Sequence, residues 1–248
     1  MPEALLQSAH ALVDHLWPAN NVYGSHPTYV QWADPVAGTP ARNRSVCSSF
    51  ATRLLEHSFG YTQDDIATWF GKRVPQAREY HDTILARTGF LRIVHMSAIR
   101  PGDILAVKYP DGSHPTGHVM IVASLATPGT ATNPVQPATQ QYELRVVDSA
   151  NTGHGTSDTR YRREGKPEWV TGAGEGVLRL YARPDDTIAG YAWSTSPKSL
   201  FRAAQDRAPA IGRLDPARAP KPSGTPATSA RGDDPESNGD DAPFDDAQ

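Results

Sequence analysis

With 248 residues, the chain has the length of one ordinary domain plus a tail, or of two very small domains. Only 38% of the residues are hydrophobic, and the 22 Pro and 20 Gly residues indicate a modest core diluted by loops and by at least one disordered segment. The formal net charge of −3 is small, and no Lys/Arg run with interleaved aromatic residues is present, so we expect no nucleic-acid partner.

The chain contains a single cysteine, which excludes an intrachain disulfide and a metal site built from several thiolates. No run of about 18 apolar residues occurs, so we expect no membrane span. The first residues, MPEALLQSAHALVDHLW, lack the basic, apolar and small-residue regions of a signal peptide. The expected location is therefore the cytoplasm or, after a non-classical export route, the cell exterior, and the sequence leaves both open.

The first 89 residues are predicted to be mainly helical. Apolar residues at helical spacing predict an amphipathic helix over residues 3–16, followed by an ordered loop over 20–45. The clearest helix spans 47–59, with Gly60 at its C-terminal end. Two further helices are predicted over 63–70, capped by Thr62, and over 75–88, with Pro75 in the first turn and Gly89 after the last.

After Gly89 the apolar pattern changes from helical to strand-like. Helices followed by a run of strands predict an α+β fold with an antiparallel sheet. We therefore expect one domain over 1–204, with a helical part at 1–89 and a sheet part at 90–195. The Pro-, Ala- and Asp-rich segment 205–248 has few large apolar residues and is predicted to be a disordered tail. The predicted strands are 91–95, 103–109, 118–125, 142–149, 177–182 and 187–193, with a Pro/Thr/Ala-rich insertion at 126–140.

Cys47 opens the predicted 47–59 helix, and this position has chemical consequences. The thiolate is the nucleophilic form of cysteine, and the free N–H groups and macrodipole at a helix N-terminus favour the anion. The backbone N–H groups of Ser48 and Ser49 follow directly, so they can point toward an oxyanion that forms beside the sulfur. Alternatively, Cys47 is a small core residue that continues the apolar stripe of the helix.

His118 and Asp148 are the best candidates for a base and for the residue that orients it. His118 begins the predicted strand HVMIVASL, from which its ring can project toward a facing helix. Asp148 ends the strand LRVVD and shares a face with Leu144 and Val146, where a carboxylate needs a partner such as His118. A half-buried histidine at a strand edge and a turn-initiating aspartate are the structural alternatives.

The order CSSF, PGDIL, GHVMIV and then a polar residue at the end of the next strand resembles the NlpC-type cell-wall peptidases. These enzymes belong, with the CHAP amidases, to the papain-like superfamily. The resemblance covers residues 20–195 and implies a papain-like fold with no cofactor. It implies Cys47 as nucleophile, His118 as base and Asp148 as the orienting residue, with the Ser48 N–H and a tyrosine, here Tyr29, at the oxyanion. His154 is the rival candidate for the third role or for a substrate contact.

The resemblance also implies the reaction. It is hydrolysis of an amide through a thioester, with a peptide or amide substrate, and peptidoglycan stem peptides are the first expectation. Acyl transfer and deamidation use the same thioester and stay open. A papain-fold module without activity that binds a peptide or lipid is another alternative. A metal-dependent hydrolase is a third, because His114, His118, Asp148 and His154 are possible ligands, although Pro115 and Gly117 argue against a helical ligand pair. The oligomeric state stays open.

Overall fold

The computed structural model describes residues 2–162 and 168–226. Its helices confirm the predicted ones, with differences at the ends. Gly60 follows the second helix with a left-handed backbone, and the Thr62 hydroxyl caps the third by accepting from the Asp65 N–H. Among the described residues, no helix has both the length and the apolar character needed to cross a bilayer. The helices are α1 Pro2–Val13, α2 Cys47–Phe59, α3 Gln63–Phe70 and α4 Ala77–Leu85.

The fourth helix starts later and ends earlier than predicted. Gln76, not Pro75, is the residue before its first turn, and the Glu79 carboxylate accepts from the Gln76 backbone N–H at 2.7 Å. The side chain of Glu79 thus defines the start of α4, whereas Pro75 lies outside the helix. At the other end α4 stops at Leu85, before Gly89.

The strands confirm the α+β class and the antiparallel sheet. The main sheet has the order β13-β12-β11-β8-β6-β5-β14-β4, with β7 paired to β8, and its strand pairs run antiparallel. The strands are β1 Asn21–Tyr23, β2 Tyr29–Gln31, β3 Arg42–Ser45, β4 Phe90–Ile93, β5 Ile104–Lys108, β6 Gly117–Val122, β7 Thr127–Pro128, β8 Gln140–Ala150, β9 Tyr161–Arg162, β10 Glu168–Trp169, β11 Gly172–Ala182, β12 Ile188–Ala192, β13 Phe201–Ala203 and β14 Ala208–Leu214.

The main sheet is buried on both faces, so its central strands read as continuous apolar runs. In β6, Val119 and Ile121 pack in the core shared with the helices, whereas Met120 and Val122 pack in a second core on the opposite face. A bridge between His95 and Thr187 joins the segment after β4 to the turn before β12, which brings distant parts of the sheet together. Any polar side chain in these strands must therefore find a protein partner.

Residues 20–45 were predicted as an ordered loop, and this was wrong in part. They contain a small sheet in which β3 pairs in parallel with β1 and antiparallel with β2. The strands are three or four residues long, and β3 reads RNRS, without an apolar alternation that could have revealed it. The sheet directs the chain into α2, because β3 ends at Ser45, two residues before Cys47.

The predicted tail boundary after residue 204 is also wrong. Residues 208–214 form β14, which lies between β5 and β4 inside the main sheet. Arg213 of this strand pairs with the buried Asp103 of the PGD turn, at 2.8 Å between Nε and Oδ1. The prediction relied on the average composition of a long polar segment, and the few apolar residues of β14 hardly change that average. The part of the predicted tail at 227–248 lies outside the described residues.

Candidate active site

Cys47 is the first residue of α2, as predicted, and lies at one wall of a small cavity of about 40 Å³. Its side chain is buried apart from the edge that faces this cavity. The Ser49 hydroxyl accepts from the Val46 N–H at 3.0 Å and donates to the Val46 carbonyl at 3.1 Å. This interaction holds the first turn of the helix, so the position of the thiol is fixed by the backbone on both sides.

The cavity is lined by neutral groups. Val46, Val74, Ala77 and Pro115 form its apolar part, and the polar part consists of hydroxyls, amides and the thiol. None of the described side chains in its lining is an acid or a base of the Asp, Glu, Lys, Arg or His type. Ser48 lies in the lining, and N–H groups of a first helical turn have no acceptor within the helix. A developing oxyanion is therefore the kind of charge this wall can accept.

Tyr23, not Tyr29, is the tyrosine of the cavity. Tyr29 belongs to β2 and is not among the described residues that line the cavity. Tyr23 is the last residue of β1, where it pairs in register with Ser45, and it does line the cavity. The sequence offered both tyrosines upstream of the cysteine, and only the pairing of β1 with β3 brings one of them beside Cys47. The expected position of Tyr29 is thus corrected.

His118 is the second residue of β6 and is buried, with 1% of its surface exposed. The residue before it, Gly117, has φ 151° and approaches β5 so closely that a Cβ would lie 1.9 Å from the Val107 carbonyl oxygen. Only glycine fits at this position, which explains why a glycine comes directly before His118 in the sequence. The ring of Trp193 packs edge-on against the His118 ring, with 4.8 Å between centroids.

The ring of His118 interacts with Asp148 and with Cys47. Nε2 lies 2.5 Å from Oδ2 of Asp148, and the thiol of Cys47 is the second hydrogen-bond partner of the ring. Burial lowers the pKa of His118, but the charge on Cys47 and the hydrogen bonds to Asp148 and Cys47 outweigh it and raise that pKa to about 10. The imidazolium form is thus strongly favoured.

Asp148 is fully buried in β8 and stays ionised there. Burial raises its pKa, but the charges of Arg160 and His154 and the hydrogen bonds from the two histidines hold it well below its usual range. Oδ1 lies 2.9 Å from Nη2 of Arg160, and Oδ2 lies 2.5 Å from His118. The carboxylate therefore contacts the base on one side and an arginine on the other.

His154 lies behind Asp148 and does not line the cavity. It is fully buried, and its Nε2 is 3.0 Å from Oδ2 of Asp148. Its place corrects the expectation of a substrate contact, since Asp148 and His118 stand between this ring and the thiol. His154 is also no rival of Asp148 for His118, because it contacts the carboxylate instead.

Two further residues of the site were missed by the sequence analysis. Arg160 bridges Asp148 and Asp158, with 2.9 Å from Nη2 to Oδ1 of Asp148 and 2.7 Å to Oδ2 of Asp158. Both residues lie in a polar loop, where charged side chains are usually solvated. The signal that could have revealed them is β11, whose sequence GAGEG places small residues opposite the end of β8.

The predicted metal ligands do not assemble into a metal site. Within residues 2–162 and 168–226, no group of three or more His, Cys, Asp or Glu side chains is arranged to hold a metal ion. His114 is exposed in the loop before β6, away from the buried network. The side chains that do come together are a thiol, an imidazole and a carboxylate, in that order, which is an arrangement for nucleophilic chemistry.

Comparison with known proteins yields one informative relative. No family model matches the chain, and no solved structure matches it. A protein of Acanthamoeba polyphaga mimivirus, named "Uncharacterized protein R653", is 35% identical over 196 residues, which cover 73% of this chain and 85% of the relative. At that identity and coverage, the chain belongs to the same family as this mimivirus protein.

Proposed function

We propose that this protein is a papain-like, NlpC-type cysteine amide hydrolase. The observation that carries the proposal is the position of His118, whose pKa is raised by Cys47 and whose Nε2 lies 2.5 Å from the ionised carboxylate of Asp148. A raised pKa of the base makes the imidazolium available to hold a thiolate and to protonate a leaving amine. The role of the fully buried Asp148 is to hold the ring and stabilise its charge.

The reaction proceeds in two halves. The Cys47 thiolate attacks the amide carbonyl, and the Ser48 N–H, with Tyr23 nearby, stabilises the oxyanion. Collapse of this intermediate breaks the C–N bond, and His118 gives its proton to the departing amine, which leaves a thioester. His118 then takes a proton from water, the hydroxide adds to the thioester, and collapse releases the carboxylic acid and the thiolate.

The cavity supports a neutral acyl group as the part of the substrate bound beside Cys47. A charged group there would lose its water, and the described lining offers it no ionic partner other than the reacting Cys47 thiolate. Peptidoglycan stem peptides follow from the resemblance to NlpC-type peptidases and are the first substrates to test. Their charged side chains would have to lie outside this cavity.

The test uses the full chain and a panel of stem-peptide fragments and synthetic peptide amides. The panel varies one residue next to the scissile bond among alanine, valine, glutamate and lysine. We expect turnover that is unaffected by EDTA, is at least tenfold faster for the neutral residues, and is abolished in Cys47→Ala. His81→Gln is the matched control, because His81 is also a buried histidine but belongs to α4 and does not line the cavity. This variant should keep the wild-type rate.

Intact mass measurement distinguishes the alternatives. Because Cys47 is the only cysteine, an added acyl mass that disappears with hydroxylamine identifies the thioester. Product carrying an added amine instead of water would identify acyl transfer. Binding of a panel member to Cys47→Ala without turnover by the wild type would contradict the hydrolase and favour a binding module.

A further inference from the structure

The loop after β8 carries a group of buried ionisable side chains that the proposed reaction does not require. His154 is fully buried, and Asp158 and Arg160 are 3% and 2% exposed. All three lie behind Asp148 as seen from the cavity. Burial of a charged side chain is costly unless the charge is paired and hydrogen-bonded. The three side chains must therefore have ionic and hydrogen-bond partners within the protein.

The hydrogen bonds of His154 define its protonation state. Nδ1 lies 2.7 Å from the Trp193 carbonyl oxygen, which can only accept, so Nδ1 carries a hydrogen. Nε2 lies 3.0 Å from Oδ2 of Asp148, and an ionised carboxylate can also only accept. Both ring nitrogens therefore carry hydrogens, and His154 is an imidazolium. The Trp193 ring stacks on it with 4.2 Å between centroids, a contact that favours a cation.

With His154 charged and the Cys47–His118 pair ionised, the buried network contains three positive and three negative groups. The positive groups are His118, His154 and Arg160, and the negative groups are Asp148, Asp158 and the Cys47 thiolate. Removal of the His154 charge would leave the three anions facing two cations. The Cys47–His118 pair would then lie in a more negative environment, in which the thiolate is less stable.

Strand β11 provides the space for this network. Gly174 pairs in register with Asp148, and a Cβ on it would lie 2.7 Å from the Arg160 side chain. A Cβ on Gly176 would lie 2.4 Å from Oδ2 of Asp158 and 2.6 Å from Cβ of His154. The backbone N–H of His154 also donates to Asp158 at 2.7 Å. The loop is thus held against a groove that only glycines leave open.

We propose that His154 is a positioning residue that carries a positive charge between the Trp193 carbonyl and Asp148 and thereby favours ionisation of the Cys47–His118 pair. This inference rests on the proposed function, since it assigns a role to His154 through that pair. The charged groups that face His154 are Asp148 on β8 and Asp158 and Arg160 on its own loop. His118 and Cys47 lie beyond Asp148. The β11 residues beside His154 are glycines, and β12 leads to the Trp193 carbonyl.

The first experiment measures labelling of Cys47 by iodoacetamide from pH 4 to pH 10 in wild type and His154→Gln. Glutamine keeps a donor toward Asp148 but removes the charge. We expect the labelling profile of the variant to move to higher pH by about one unit, because the thiolate loses a nearby cation. His81→Gln is the control and should superimpose on wild type. Superimposable profiles of wild type and folded His154→Gln would overturn the proposal.

The second experiment needs no variant of His154 and covers the case in which His154→Gln does not fold. Ring ¹⁵N NMR of His118→Ala, which leaves His154 as the buried histidine next to Asp148, should show one imidazolium protonated on both nitrogens at pH 8. A His154 ring with one unprotonated nitrogen at that pH would overturn the proposal. An inert thiol in wild type with a doubly protonated His154 would instead contradict the hydrolase, so the two failures are distinguishable.

Discussion

Two of the His–Asp pairs in the described part of the chain have the same chemistry and opposite properties. In the first, Nδ1 of His81 lies 2.8 Å from Asp82, whose side chain is 52% exposed and also contacts Lys108. In the second, His118 and Asp148 are both buried. Burial lowers the pKa of His81, and the charges of Lys108 and Arg92 lower it further against the effect of Asp82. The pKa of His118 is instead raised to about 10, although burial opposes it.

The difference shows that a carboxylate partner alone does not make a histidine a strong base. His118 has a second anionic neighbour, Cys47, and its aspartate is sealed from water by Trp193, His154 and Arg160. His81 has cationic neighbours, and although Asp82 contacts it directly, the carboxylate is about half exposed, so solvent screens the attraction. The raised pKa of His118 is thus a property of what surrounds the pair.

The largest expected effect comes from Asp148→Asn. Asparagine removes the charge that stabilises the His118 imidazolium, and we expect turnover and thiol labelling at pH 6 to fall by about 10²- to 10⁴-fold. The matched variant Asp82→Asn removes the exposed member of the other pair and should change unfolding free energy by less than about 1 kcal/mol. Equal effects of the two variants on labelling would contradict the comparison.

Arg160→Met should produce the next largest effect, on stability. Removal of one partner from a buried ion pair leaves Asp148 and Asp158 without their cation and costs about 3–5 kcal/mol. Arg145→Met is the control, because Arg145 pairs with Glu175 but is 59% exposed, and its loss should cost about 1 kcal/mol or less. Urea unfolding of both variants measures the difference, and a loss below 1 kcal/mol for Arg160→Met would show that the network is solvated.

Gly174→Ala tests the groove in β11 with the smallest change. The added methyl would push Arg160 away from Asp148, and such overpacking costs about 1–3 kcal/mol. Gly129→Ala places a methyl 3.3 Å from the Glu143 side chain at the exposed edge of the sheet and should stay within about 0.5 kcal/mol of wild type. Thermal unfolding of the two variants compares them directly, and equal midpoints would mean that the groove is not needed.

The predictable parts of the molecule are those encoded locally. Helices α2 and α3 were predicted because Gly60 and Thr62 mark their ends, and the main strands because their apolar residues run together. Strand β14 was missed because its few apolar residues lie in a segment whose average composition is that of a tail. Strand pairing across long sequence separations decides such a case, and composition carries no information about it.

The residues of the candidate site also fall into two groups, those that the sequence reveals and those that only packing brings together. Cys47 and His118 lie at the start of an element and Asp148 lies near the end of one, and the apolar residues beside each of them make these positions visible in the sequence. Arg160 and Asp158 look like ordinary residues of a polar loop, and only their packing against the glycines of β11 buries them. Tyr23 could not be chosen over Tyr29 because both lie in short strands whose pairing the sequence does not reveal.

The most direct test of the account is the rate of Cys47 alkylation by iodoacetamide from pH 4 to pH 11 in wild type and His118→Ala. Only a thiolate reacts, and the single cysteine makes the measurement unambiguous. If Cys47 and His118 form an ion pair, wild type is labelled readily at pH 6, with a second change near pH 10 as His118 loses its proton. His118→Ala then reacts only as the pH approaches about 8.5, the pKa of an ordinary thiol. Identical profiles for the two proteins, both rising near pH 8.5, would contradict the ion pair and with it the proposed hydrolase.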